Sequence, residues 1–203
     1  MMAVPDEDAD LVRSAIGGDD EAFAELVRRH KGTVLRTAAR FARNHEELED
    51  LGQETFLRVY RDLRSFRGDA PFGHWVSRIA VRVCYDALRK RRREEKDVSL
   101  EALPAPVADP SAGNGHSALL ARMILDQAMA RLKPEDRLVI TLFELEDRSV
   151  REVAELTGWN ETLVKVRAFR ARQSLKRVIG GDDERGTIRP EGRGARPVFR
   201  TGA

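Results

Sequence analysis

Apolar side chains recur every three or four residues along most of this chain, which is the spacing of one face of an α-helix. Between residues 72 and 83, for example, Phe72, Val76, Ile79 and Val83 follow one another at intervals of four, three and four. No segment alternates apolar and polar residues between turn signals, as a half-buried strand would. The pattern therefore predicts an all-α protein. The predicted helices cover residues 7–16, about 20–43, 46–63, 72–93, 118–132 and 134–147, followed by two short helices that end near residue 180.

The helical pattern is interrupted between residues 94 and 117. This stretch holds three prolines, five acids against one lysine, and few large apolar residues, a composition typical of an extended linker. After residue 180 the chain is rich in Gly, Pro and charge, with little apolar material to pack, which predicts a disordered tail. We therefore predict two small helical domains, 7–93 and 118–180, joined by an acidic linker, 94–117, and followed by a tail, 181–203.

Charge is distributed unevenly, although the formal net charge is only +2. Residues 74–93 carry seven Arg or Lys against one acid, and residues 161–177 carry six against one. Two basic blocks, one in each predicted domain, indicate two modules that bind a polyanion. Charge runs can equally be solvated helix faces, so composition alone leaves both interpretations open.

Several classes of protein are disfavoured. The single cysteine, Cys84, permits no disulfide within the chain, and the four histidines lack the spacing of metal ligands. We therefore predict no catalytic residues, no metal and no cofactor. The N-terminal residues are acidic and lack the pattern of a signal peptide, and no apolar run has the length of a membrane span. The expectation is a soluble, cytoplasmic protein.

The most specific local pattern lies between residues 149 and 177. Ser149 and Glu152 have the spacing of a capping box, which starts a short helix. Gly158 then marks a tight turn, and Asn160 can cap the next helix. This is the layout of a helix-turn-helix, whose second helix enters the DNA major groove. The exposed side of that second helix is predicted to carry Thr162, Lys165, Val166, Phe169 and Arg170, with Arg167 and Arg172 flanking it.

The same stretch also allows a plainer interpretation. An ordinary helical hairpin with a solvated basic face has similar periodicity. The combination of cap, turn and split faces favours the DNA-binding interpretation, because Lys and Arg can donate to guanine acceptors while Val and Phe can contact thymine methyl groups.

A second pattern lies on the predicted fourth helix, where basic and aromatic residues recur on the side opposite the apolar face. Phe66 and Trp75 flank the loop before that helix. Basic side chains beside aromatic ones suit single-stranded DNA, whose unstacked bases need a stacking surface. Trp75 and Phe72 could instead be core residues. The stripe consists of His74, Arg78, Arg82, Tyr85 and Arg89.

Acidic residues crowd the predicted third helix between residues 46 and 54. Acids in a first turn suit the helix dipole. A dense acidic face also suits docking on a basic protein partner. Physical chemistry leaves these two interpretations equally weighted.

Several short motifs, in this order and spacing, resemble one known family. Asp50-Leu51-Gly52-Gln53-Glu54-Thr55-Phe56, Phe66-Arg67-Gly68-Asp69, Trp75 to Ala80 and Asp86-Ala87-Leu88-Arg89 resemble the promoter −10 domain of extracytoplasmic-function (ECF) RNA polymerase sigma factors. Arg131-Leu132 to Arg137, Glu152 to Glu155, Val164-Lys165 and Arg170-Ala171-Arg172 resemble their −35 domain. The resemblance covers roughly residues 9–180.

The resemblance implies a promoter-recognition subunit of RNA polymerase, with promoter DNA and core polymerase as partners and an anti-sigma factor as a further one. The linker would follow the path of RNA in the polymerase cleft. The implied polymerase-binding residues are Asp50, Gln53 and Glu54. The implied −10 residues are Phe66, Arg67, Asp69, Trp75, Arg78 and Arg82. The implied −35 residues are Lys165, Val166, Phe169 and Arg170, with Arg167 on a phosphate.

Three residues depart from the family pattern. Gly52 replaces a branched apolar residue, which lowers helix propensity there. Arg82 stands where some members carry an amide in the pocket for the flipped base, and Val166 replaces a small polar residue in the recognition helix. The alternative function is a free-standing helix-turn-helix regulator that binds DNA without polymerase. A small nuclease would need convergent acids or histidines, which the pattern does not provide.

Overall fold

All regular structure in the part of the chain that the structure describes is helical. The computed structural model describes residues 7–97 and 114–180, and the prediction of an all-α fold is confirmed there. A single 3-10 turn, Leu63–Ser65, joins the third and fourth helices. The α-helices are α1 (Ala9–Ile16), α2 (Asp20–Ala39), α3 (His45–Asp62), α4 (Phe72–Asp97), α5 (Asn114–Arg131), α6 (Pro134–Glu144), α7 (Val150–Thr157) and α8 (Glu161–Gly180).

Helices α2 and α3 begin at side chains that cap them. The Asp19 carboxylate accepts hydrogen bonds from the backbone N–H groups of Glu21 and Ala22 at the start of α2. The Asn44 side chain accepts from the N–H of Glu47 at 2.8 Å at the start of α3. These bonds satisfy N–H groups that have no partner inside the helix. Helix α2 ends at Ala39 rather than near residue 43, because the chain must turn before Asn44 can cap α3.

The helices bordering the predicted linker are longer than expected. Helix α4 continues to Asp97 and α5 begins at Asn114, so residues 94–97 and 114–117 are helical rather than extended. The first of these segments consists mainly of Glu and Lys, which have high helix propensity. The rest of the predicted linker, 98–113, and the predicted tail, 181–203, lie outside the described residues.

The first helix group, α1 to α4, packs around an apolar core. Its most buried members include Leu26 and Val34 of α2, Val59 of α3, and Phe72 and Val76 of α4. Helices α2 and α3 approach closely at Gly52, where an added Cβ would lie 2.9 Å from a methyl carbon of Leu35. An alanine at position 52 would therefore require the Leu35 side chain to shift.

The second helix group, α5 to α8, has a small core of its own around Leu132, Ile140 and Ala171, and it also shares a larger core with the first group. Leu138 and Leu142 of α6 belong to the same buried cluster as Val81 and Leu88 of α4, and Leu156 of α7 joins them. Helix α4 therefore contributes to the cores of both groups. The sequence predicted the two groups but not this shared core.

Candidate DNA- and polymerase-binding surfaces

The helix-turn-helix predicted from the sequence is present in α7 and α8. Ser149 Oγ accepts a hydrogen bond from the N–H of Glu152, whose carboxylate accepts in return from the Ser149 N–H at 2.8 Å. Gly158 has φ +74°, the left-handed conformation that glycine adopts without a steric penalty. The Asn160 side chain then accepts from the N–H of Leu163 at 2.8 Å and caps α8. The cap, turn and second cap are all confirmed.

Helix α8 has one buried side and one exposed side. Val164, Ala168 and Ala171 are almost fully buried. On the opposite side Phe169 is 63% exposed and Val166 is 40% exposed. Exposed apolar side chains between cations fit a surface that contacts both thymine methyl groups and base acceptors. We call this surface the recognition face, and its members are Lys165, Val166, Phe169 and Arg170, all exposed.

Arg167 is held differently from these four residues. Its guanidinium lies over the Trp159 ring, 4.0 Å from the ring centroid, a distance at which a cation–π attraction operates. Arg167 is also one of the cations near Asp136, where burial raises the pKa of the carboxyl and Arg167 opposes that shift. The structure therefore places Arg167 against its own domain rather than on the recognition face. Sequence spacing could not show this stacking.

The loop before α4 is anchored by aromatic packing. Phe66 lies 5.3 Å from both Phe72 and Trp75, measured between ring centroids. Phe72 is 1% exposed and is a core residue, whereas Phe66 and Trp75 are only half-buried. Of the two interpretations left open by the sequence, the core assignment thus holds for Phe72. The remaining loop candidates, Arg67 and Asp69, are exposed.

The basic stripe of α4 borders a cleft between the two helix groups. Arg78, Arg82 and Arg89 are exposed, while His74 and Tyr85 are half-buried. The cleft has a volume of about 540 Å³. One wall is α4 with Trp75, and the opposite wall is the turn of the helix-turn-helix, formed by residues 156–159.

The acidic helix α3 is less uniformly exposed than its sequence indicates. Asp50 and Gln53 are exposed. Glu54 instead binds Arg58, with 2.7 Å between the carboxylate oxygen and Nε, and the same guanidinium binds Asp86 of α4 at 2.7 Å. Both interactions hold the pKa of Arg58 above its ordinary value, with the hydrogen bond to Asp86 as the largest cause. Glu54 therefore helps to fix α3 against α4.

Two exposed apolar side chains beside Asp50 and Gln53 were missed by the sequence reasoning. Leu57 is 57% exposed and Tyr60 is 56% exposed. Leu57 follows Gln53 by one helical turn, so it extends the same side of α3. The sequence signal that could have revealed Leu57 is its position four residues after Gln53, on the side of α3 that carries the acids.

Comparison with known proteins agrees with the motifs. Residues 26–94 match the sequence model of Sigma-70 region 2, and residues 122–175 match that of Sigma-70, region 4. The chain is 34% identical over 173 residues to the ECF RNA polymerase sigma factor SigM of Mycobacterium tuberculosis, with 85% of each chain covered. It is 32% identical over 187 residues to the RNA polymerase sigma-H factor of Pseudomonas aeruginosa, covering 88% of this chain and 96% of that one.

The chain belongs to the ECF family of RNA polymerase sigma factors. It is an alternative sigma factor, which directs transcription initiation. Because the match to region 2 covers most of the first helix group, residues 26–94, a free-standing regulator is no longer supported as the alternative function.

Solved sigma factor structures share the architecture. The structure of CnrH in complex with the cytosolic domain of CnrY superposes with a TM-score of 0.56 at 27% identity, covering 86% of this chain and 98% of that one. The sigma factor RpoE from Bartonella quintana, solved in complex with the anti-sigma factor NepR, has a TM-score of 0.51 at 23% identity. The match covers 79% of this chain and 98% of that one. At that identity it supports the fold alone.

Residues 7–97 and 114–180 contain neither a metal-binding cluster nor a membrane-spanning helix. No group of three or more His, Cys, Asp or Glu side chains in that part of this sigma factor is placed to hold a metal ion. Nor does any described helix combine the length and apolar character needed to cross a membrane.

Proposed function

We propose that this sigma factor reads the −35 element with the recognition face of α8 and the melted −10 element with α4 and the loop before it. The observation that carries the proposal is the recognition face itself. Its two apolar members are solvent-exposed between cations, on a helix whose opposite side is buried in the domain. Apolar side chains grouped on one exposed helix face and rimmed by polar ones are typical of an interaction surface.

The −10 assignment rests on the cleft-facing stripe and the aromatic loop. Arg78 and Arg82 are exposed along α4 and can follow phosphates. Phe66 and Trp75 are half-buried, and Trp75 lines the same cleft as these arginines, where an aromatic ring can stack on a base. Arg67 and Asp69 supply polar groups in the same loop.

We further propose that Asp50 and Gln53 form the centre of the polymerase-docking surface, with Leu57 and Tyr60 as its apolar part. Charged groups at an interface steer association, while apolar side chains supply burial. Glu54 contributes by holding α3 in place through Arg58.

The wider biology follows the family. The protein works in the cytoplasm with core RNA polymerase, has no catalytic activity of its own, and is restrained by an anti-sigma factor. CnrH, a structural neighbour at 27% identity, was solved in complex with the cytosolic domain of a second protein, CnrY, which supports a protein partner for this chain as well. If the isolated protein and its cellular form initiate transcription equally well without an inducing condition, the anti-sigma proposal fails.

The −35 assignment is tested by Lys165→Ala, with Lys176→Ala as control. Both lysines are exposed on the same side of α8, but Lys176 lies about three turns beyond Lys165, away from the early residues that reach base edges. Promoter binding is measured by the holoenzyme on a library of −35 sequences. Lys165→Ala should cost about 1–3 kcal/mol on the preferred sequence and relax preference at one position. A uniform loss over all sequences would reduce Lys165 to a phosphate contact.

The docking assignment is tested by Asp50→Lys, with Glu21→Lys as a control that makes the same charge change on another exposed helix position. Affinity for core polymerase is measured by titration. Asp50→Lys should weaken binding by several kcal/mol, through like charges brought together at the interface. Equal affinities for the two variants would remove Asp50 from the docking surface.

The −10 assignment is tested by Arg82→Ala in open-complex assays, with each of the four bases at the captured position. A loss that depends on the base makes Arg82 a specificity residue. A uniform loss with a smaller salt dependence makes it a phosphate contact. No loss would count against α4 as the helix that holds the melted strand.

A further inference from the structure

The side chain of Asp8 leaves its own helix and binds α2. Asp8 stands at the N-cap of α1, where an aspartate ordinarily accepts hydrogen bonds from N–H groups of its own first turn. The Asp8 carboxylate makes no such capping bond. One of its oxygens lies instead 2.7 Å from Nε2 of His30, and the other accepts from Nη1 of Arg29 at 3.0 Å. The Asp8 side chain is only 10% exposed, so a nearly buried charge fixes α1 to α2.

His30 connects this contact to the start of α4. An ionised carboxylate only accepts hydrogen bonds, so Nε2 of His30 is the donor. The imidazole packs edge-on against the Phe72 ring, with 5.4 Å between the ring centroids. It also lies beside Gly73, where an added Cβ would lie 2.9 Å from Cε1 of His30. His30 therefore meets two successive residues in the first turn of α4, and glycine at position 73 leaves room for its ring.

Phe72 in turn packs against the two aromatic residues proposed to stack on a base. Phe72 is 1% exposed, and its ring centroid lies 5.3 Å from that of Phe66 and 5.6 Å from that of Trp75. Phe66 and Trp75 themselves are half-buried. Close-packed rings cannot move independently, so a displacement of Phe72 would also displace these two side chains.

We propose that Asp8 and His30 are positioning residues for −10 recognition. They fix the Phe72 ring, and that ring sets the positions of the two aromatic side chains beside it. The side chains of Asp8 and His30 are only 10% and 16% exposed, so they act on the promoter strand through Phe72. Binding groups keep their geometry when supporting hydrogen bonds lock them in place, and the carboxylate–imidazole bond gives this support. The inference rests on the proposed −10 role of Phe66 and Trp75.

Three substitutions in the full chain test this role. His30→Phe keeps an aromatic ring beside Phe72 and removes the hydrogen bond to Asp8, while Asp8→Ala removes the acceptor. Asp8→Asn is the conservative variant, because its amide oxygen can still accept from Nε2 of His30. The control is Asp19→Ala, which removes the cap of α2 and so destabilises the same helix without touching the Asp8–His30 pair.

The surroundings of Trp75 are measured first, without polymerase or DNA. The chain has two tryptophans, so a Trp159→Phe background leaves Trp75 as the only indole emitter. In that background His30→Phe and Asp8→Ala should shift the emission to longer wavelength and increase its quenching by acrylamide, because the half-buried ring becomes more exposed. Asp8→Asn and Asp19→Ala should leave both properties close to those of the background. Circular dichroism and urea unfolding check that each variant is folded. If Asp8→Ala is not, the comparison of His30→Phe with Asp19→Ala decides.

The effect on promoter melting is then measured with the holoenzyme, in the chain with both tryptophans. Open-complex formation should fall about tenfold for His30→Phe and Asp8→Ala, which is the effect of losing one hydrogen bond to a charged group. Discrimination among the four bases at the captured position should fall with it. Affinity for core polymerase and binding to the −35 element should stay unchanged, since both proposed surfaces lie on other helices. Asp8→Asn should recover most of the loss, and Asp19→Ala should keep full discrimination.

Phe66→Ala separates this inference from the proposed −10 site. If Phe66→Ala weakens open-complex formation while His30→Phe does not, the positioning role is refuted and the −10 assignment stands. If neither variant has an effect although the Trp75 emission shifts, the −10 assignment of the loop fails and the inference fails with it. A Trp75 emission that does not respond to His30→Phe, or a loss of discrimination that Asp19→Ala reproduces, would also overturn the positioning role.

Discussion

Replacing Glu47 by alanine should destabilise the first helix group more than any other single change among the acids of α3. One carboxylate oxygen of Glu47 lies 2.6 Å from Nη2 of Arg91, and the other accepts from the backbone N–H of Arg43 at 2.6 Å. The Arg91 side chain is 9% exposed and that of Glu47 is 18% exposed. The pair joins the start of the proposed docking helix to the proposed −10 helix.

The size of the effect follows from what remains after the substitution. Arg91 would stay buried with its charge uncompensated, and removing one partner of a buried pair costs about 3–5 kcal/mol. Because Glu47 keeps some contact with water, we expect the lower end, about 3 kcal/mol. For a chain of this size each kcal/mol lowers Tm by roughly 2–4 °C, so Tm should fall by about 6–12 °C.

The control is Glu49→Ala on the same helix. Glu49 lies 3.2 Å from His45 and its side chain is 60% exposed, so this surface contact is worth less than about 1 kcal/mol. Both variants are unfolded in urea and by heat, and circular dichroism follows the loss of helix. If Glu47→Ala costs no more than Glu49→Ala, the ion pair with Arg91 does not stabilise the fold.

The pH dependence gives a second test of the same pair. Burial opposes ionisation of Glu47, but the Arg43 N–H and the Arg91 charge outweigh it, so the pKa of this carboxyl lies below its ordinary value. A lowered pKa contributes stability that is complete above the unfolded value and is lost as pH falls through the folded value. The difference between wild type and Glu47→Ala should therefore be full at neutral pH and shrink in acid. A difference that is constant down to acid pH would contradict this assignment.

Three further predictions address single positions. Gly52→Ala should change stability by less than about 1 kcal/mol in urea unfolding, because the half-buried Leu35 side chain must shift to admit the new Cβ while alanine has the higher helix propensity; a loss of several kcal/mol would show that Leu35 cannot move. Ser149→Ala should cost about 1 kcal/mol, and Glu152→Ala, which breaks the same capping box, should show a similar loss in thermal unfolding. Cys84 should resist thiol reagents in the native protein and react on unfolding, since burial raises its pKa to about 12; rapid native labelling would refute its burial.

Sequence by itself determined the features that depend on near neighbours. Helix positions, the capping box at Ser149 and the left-handed turn at Gly158 all arise from residues within one or two turns of one another. The exposed recognition face of α8 follows from the same local periodicity. Family motifs, which are also short, were enough to identify an ECF sigma factor.

Only the tertiary structure decided which charged side chains already bind other residues of the same chain. Arg58, which binds Glu54, also binds Asp86, 28 residues further along the sequence, and Arg167 stacks on Trp159. Helical periodicity shows neither contact, so it presents Glu54 and Arg167 as available to a binding partner. The core that α4 shares with the second helix group likewise could not be predicted from the sequence. Periodicity shows that a helix side is apolar or basic, but it cannot show which other helix covers that side, because partners distant in sequence meet only when the whole chain packs.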